Sequence, residues 1–142
     1  MLNAPLAATP STGADAPLHP LVRRLLDCQG YAYVERLDAL ARDPRNLLLF
    51  LPAHGKAHVE TPDVAVVLPE LVKALDAGAG RVTGAVASPA VEAALRERLS
   101  LALPAIVVLK GGEPVGAVAR MRDWDVYLTR LAALLAAPVP TH

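Results

Sequence analysis

The 142 residues carry 14 Lys plus Arg against 14 Asp plus Glu and a single Cys, a size and composition suited to one domain that buries its core without a disulfide. A formal charge of zero and the lack of a basic block exclude the phosphate-neutralising footprint of a nucleic-acid binder. The longest apolar runs, Leu47 to Leu51 and Ala105 to Leu109, fall far short of the roughly 20 residues that cross a bilayer, so no membrane insertion is expected.

Met1 to Pro17 mixes Ala, Pro, Thr, Ser and Gly without hydrophobic periodicity and is expected to be a disordered leader. It lacks the basic start and continuous apolar stretch of a secretory signal, which points to the cytoplasm. The domain is expected over residues 18–136, followed by a flexible, proline-bearing tail at 137–142.

Leu18, Leu21, Val22, Leu25 and Leu26 recur at helical spacing, with Gly30 as a stop. Tyr31 to Val34 has the aromatic and β-branched character of a strand, and Asp38 to Arg42 fits one helical turn closed by Pro44. Leu47 to Leu51 is apolar at every position, as a central strand buried on both faces must be. Pro52 to Glu60 is a loop. Thr61 offers an N-cap oxygen, Pro62 suits the first helical position, and the helix should run to about Asp76 with a kink at Pro69.

Val82 to Ala87 is a further strand, and Ser88-Pro89 caps a helix that ends at Leu99. Leu103-Pro104 leads into Ala105 to Leu109, a second buried strand. Gly111-Gly112 turns the chain back, so Pro114 to Ala119 should pair antiparallel at a sheet edge, where the missing proline N–H is tolerated. The last helix starts near Asp123 and carries Trp124, Tyr127, Leu128, Leu131, Leu134 and Leu135. The order describes an α/β domain with a mixed sheet covered by helices on both faces.

This order resembles the thioredoxin-like fold. Pro69 falls eight residues after Thr61, as a proline follows the first active-site Cys in thioredoxin-like proteins, and Leu103 to Glu113 resembles their cis-proline strand and hairpin. In that register Thr61, Pro62, Asp63 and Val64 occupy the slots of the Cys-Gly-Pro-Cys motif, and neither Cys is present. A redox dithiol needs two sulfurs at one helix N-terminus, so the resemblance brings no reductase chemistry. The loop Pro52 to Glu60 is longer than the link usual there, and Arg120 stands where a glycine is usual.

A thioredoxin-like domain of this size without Cys-X-X-Cys and with a Trp in its last helix is similar to the HyaE/HupG-type expression proteins of uptake [NiFe] hydrogenases, over Leu18 to Ala136. The resemblance implies a non-enzymatic, cofactor-free cytoplasmic chaperone. Its partner would be the hydrogenase small-subunit precursor, which carries a twin-arginine export signal, and other hydrogenase assembly proteins are allowed as further partners.

Candidate partner-binding residues are Glu60, Thr61, Asp63, Glu70, Leu103 and Pro104. Glu60, Asp63, Glu70 and Asp76 outnumber Lys56 and Lys73 and can pair with two arginines; the plainer reading is a solvated helix face. A cis Leu103–Pro104 bond would turn the Leu103 backbone toward Thr61, an edge able to hold an extended peptide; the plainer reading is a strand start. Thr61 reads as a cap rather than a nucleophile. His54 and His58, with Glu60, have weak metal spacing in a loop that also contains Gly55, and no metal is expected. Cys28 reads as buried beside Leu25 and Leu26, and Trp124, Tyr127 and Leu128 as core more than as a partner patch. Two other readings stay open: a vestigial interaction domain, and a thiol-independent enzyme using Thr61 or the His54/His58 loop.

Overall fold

Five strands and four α-helices make up the described part of the chain in a computed structural model that describes residues 18–40, 43–54 and 59–137. The elements are α1 (Pro20–Asp27), β1 (Ala32–Val34), a 3-10 turn (Leu37–Leu40), β2 (Asn46–Leu51), α2 (Thr61–Asp76), β3 (Val82–Ala87), α3 (Pro89–Leu99), β4 (Ala105–Lys110), β5 (Glu113–Ala119) and α4 (Trp124–Ala136). The expected leader, and the tail beyond Ala137, lie outside the described residues.

The sheet order is β1-β3-β2-β4-β5. β3 pairs parallel with β1 and β2, and β4 pairs antiparallel with β2 and β5. With helices on both faces, this is a thioredoxin-like arrangement. The two fully apolar strands lie side by side in its centre, with Leu49 opposite Val107 and Phe50 opposite Ile106. β5 is an edge, where Pro114 pairs with Leu109 beside an irregularity in the ladder.

Strand alternation divides the core in two. Leu48, Phe50, Ile106 and Val108 face α1, α2 and α4, where Val22, Leu25, Leu68, Tyr127 and Leu131 close over them. Leu47, Leu49, Leu51, Val107 and Leu109 face the other way, under Val91 and Leu95 of α3. Truncating a large side chain in either layer to Ala removes about 2–5 kcal/mol.

Three expectations are corrected. Thr61 does not cap α2: Glu60 holds the N-cap position and makes no side-chain capping bond, while the Thr61 hydroxyl donates to Pro52 O at 2.8 Å. The hydroxyl binds the preceding loop instead of the helix's own amides. Cys28 is exposed, because α1 ends at Asp27 before another turn can carry it onto the Val22–Leu25 stripe. Trp124 is 42% exposed: it opens α4 one turn ahead of Tyr127, outside the packed stripe, whereas Tyr127 is fully buried.

Candidate functional site

The chain segments around the α2 N-terminus meet through one arginine. Leu103–Pro104 is cis, and the carbonyl of Pro104 accepts the Arg120 N–H at 2.7 Å. Arg120 has φ 67, a left-handed conformation natural to the glycine usual at this position. Its carbonyl accepts from the Tyr127 hydroxyl at 2.8 Å. Its guanidinium binds Glu60, with Nε 2.9 Å from Oε1 and Nη2 3.2 Å from Oε2, and Met121 N donates to the same Oε1 at 2.9 Å. Loop, helix start, cis-proline strand and the entry to α4 are thus joined in one polar network.

The candidate residues divide within that frame. Thr61 and Pro104 are buried and act on the scaffold, Thr61 by tying down Pro52. Val64, in the second thiol slot, is fully buried. Glu60 is engaged by Arg120, but the pair remains partly open to solvent. Asp63, Val66, Glu70 and Lys73 fall on one exposed face of α2. The Asp63 side chain bonds to none of the described residues, whereas Glu70 lies 3.7 Å from Lys73 on an exposed turn. Leu103 is half-buried and its backbone makes no hydrogen bond among the described residues.

Asp76 leaves the acidic group altogether. Its carboxylate accepts the N–H groups of Gly80, Arg81 and Val82, and these bonds, that from Gly80 foremost, hold its pKa below the ordinary carboxylate value. Glu70 acts at longer range on Tyr31: burial first, and the nearby negative charge second, push that phenol up to about 12.

The histidine reading also resolves in part. His54 Nε2 lies 2.6 Å from Ala87 O, and its backbone N donates to Glu92. His58 lies outside the described residues, and among those described no three His, Cys, Asp or Glu side chains are grouped to hold a metal.

Two residues carry more of this region than their sequence neighbourhood suggests. Glu92, only 5% exposed, binds the main chain of the loop after β2 from α3, and no local pattern signals a contact 39 residues away. Arg120 had a signal, its place in a glycine slot, but its partner Glu60 is 60 residues distant.

Residues 21–127 match the family described as hydrogenase-1 expression protein HyaE. The chain is 38% identical over 105 residues to the hydrogenase expression/formation protein HupG of Rhizobium leguminosarum bv. viciae, covering 73% of this chain and 68% of that one. To HupG of Rhodobacter capsulatus it is 36% identical over 123 residues, 84% of this chain and 87% of the relative. A crystal structure of a HupG-type protein from Rhodopseudomonas palustris aligns with TM-score 0.46 and 29% identity over 74% of this chain and 95% of that one. The thiol-free helix start and its arginine-centred network therefore sit in a chain that belongs to the HyaE family of hydrogenase expression proteins.

Proposed function

We propose that this chain serves the expression and formation of a [NiFe] hydrogenase as a non-catalytic assembly factor, binding the cytoplasmic precursor of the small subunit through its twin-arginine signal. The names of the relatives support the hydrogenase role. The observation that carries the binding reading is the helix start itself: Thr61 and Val64 are buried and thiol-free, Asp63 stands exposed, and the Leu103 backbone before the cis bond makes no hydrogen bond among the described residues. Such a site has no group for disulfide exchange, but it offers what an extended cationic peptide needs, carboxylates and a backbone edge. In this reading Glu60, Asp63, Glu70 and Leu103 face the partner, and Thr61 and Pro104 shape the edge. Other hydrogenase assembly proteins are allowed as further partners.

The test is a pull-down comparing the precursor with the same subunit lacking its signal. The precursor binds more tightly, and Asp63→Lys with Glu70→Lys weakens it several-fold, most at low salt where exposed charges are least screened. Equal binding of the two forms defeats signal recognition while leaving chaperoning of the mature subunit. Association with neither sinks the assembly role in favour of an interaction domain with a vestigial site.

A further inference from the structure

One of the groups that hold the Glu60 carboxylate is itself an arginine side chain. Arg120 meets it side-on with two nitrogens on two oxygens, a geometry that fits a guanidinium and not an ammonium. The side chains of Arg120 and Glu60 keep 38% and 30% of their surfaces exposed, so solvent and an incoming chain reach the pair. The backbone bonds of Arg120, to Pro104 O and from Tyr127, require no particular side chain, and a glycine would adopt its left-handed φ without strain. What the arginine adds is its hold on Glu60.

Two large apolar side chains on the same segments are exposed. Val59, adjoining Glu60, is 87% exposed, and Trp124 follows three residues after Met121, whose N–H binds Glu60. An exposed valine and an exposed tryptophan on the two chain segments that meet at this carboxylate complement an arginine flanked by apolar residues.

We propose that Glu60 is a guanidinium-exchange site: Arg120 occupies it in the free protein, and an arginine of an extended peptide displaces Arg120 while neighbouring apolar side chains cover Val59 and Trp124. This rests on the arginine-bearing partner of the proposed function and gives that partner a place to bind. A pair this exposed is weakly held, so replacing one guanidinium by another loses little. Arg120 thus yields to a second guanidinium more readily than to a lysine, whose ammonium cannot reproduce the two-nitrogen contact.

The experiment follows the fluorescence of Trp124, the one tryptophan in the chain, while a synthetic peptide of two arginines followed by apolar residues is added to the full chain. Its partner probe carries two lysines instead. Arg120→Gly relieves the backbone strain and removes the competing guanidinium from Glu60, so the arginine peptide binds about threefold more tightly than to the native chain. Glu60→Gln weakens binding, the double variant shows no gain over Glu60→Gln, and the lysine peptide gains less. Thermal unfolding checks that Arg120→Gly is folded; if it is not, Arg120→Asn, which also tolerates positive φ, replaces it.

Binding that stays equal or weakens in Arg120→Gly, a gain that survives Glu60→Gln, or no peptide binding by any variant overturns the exchange. The partner assignment fails separately: if the variants behave as stated but precursor and signal-free subunit bind alike, the site stands without that partner. If the precursor is preferred but its affinity ignores both substitutions, the partner stands and the exchange at Glu60 is overturned.

Discussion

Glu92 holds the main chain of His54 across the end of the sheet. His54 N lies 2.8 Å from Oε2 of Glu92, Ala53 N lies 2.6 Å from Oε1, and the His54 ring reaches Ala87 O at 2.6 Å. A carboxylate this buried fixes the chain as it leaves β2, at an Ala53 with φ 71. The start of the loop after β2, Ala53 and His54, is therefore set from α3.

Glu92→Ala should cost about 2–3 kcal/mol, because it leaves two backbone donors without their charged acceptor. Urea unfolding checks this, and an unchanged midpoint would show that water replaces the carboxylate without loss. His54→Ala, which removes only the ring bond, should cost less.

Asp76 makes an acid-side prediction. Its pKa in the fold is lowered by the backbone donors of Gly80, Val82 and Arg81, so its contribution is present above the unfolded carboxylate value and is lost as pH falls through the folded value. Asp76→Ala should be less stable than the native chain at neutral pH, and the difference should close in strong acid. Chemical denaturation at the two pH values tests the closure; a constant difference would assign the effect to packing.

Tyr31 predicts the opposite end of the scale. Its phenol is raised from 10.0 to about 12 in the fold, so the unfolded chain gives up this proton first. Stability is then full below pH 10 and falls as pH rises toward about 12. Tyr31→Phe should flatten that loss without abolishing it, since burial raises Tyr127 as well. Phenolate absorbance during an alkaline titration gives the independent check.

Gly84, in β3, has no room for a side chain: an added Cβ would lie 2.4 Å from Cε2 of Tyr31. Gly84→Ala should therefore destabilise by about 1–3 kcal/mol, and Tyr31→Ala in the same chain should remove most of that penalty. Additive losses in the double variant would place the strain elsewhere.

The sheet was legible because its central strands declare themselves. Leu47 to Leu51 and Ala105 to Leu109 are apolar at every position, which leaves the middle of a covered sheet as their place, and Pro114 puts β5 at the edge. The cis bond before β4 followed from the same local resemblance. Local pattern failed where a helix end was involved: Cys28 and Trp124 keep the right spacing but fall beyond the turns that pack.

The sequence by itself determined the order of elements, the two-faced core and the absence of a thiol pair at the start of α2, since each depends on residue type and short-range period. It also placed the carboxylates of α2, but not their partners. Only the tertiary structure decided that Asp76 closes a turn, that Thr61 binds Pro52, and that Glu60 meets Arg120 while Glu92 meets His54. The reason is physical: a carboxylate binds whichever donor the packed sheet brings within about 3 Å, and those donors lie up to 61 residues away along the chain.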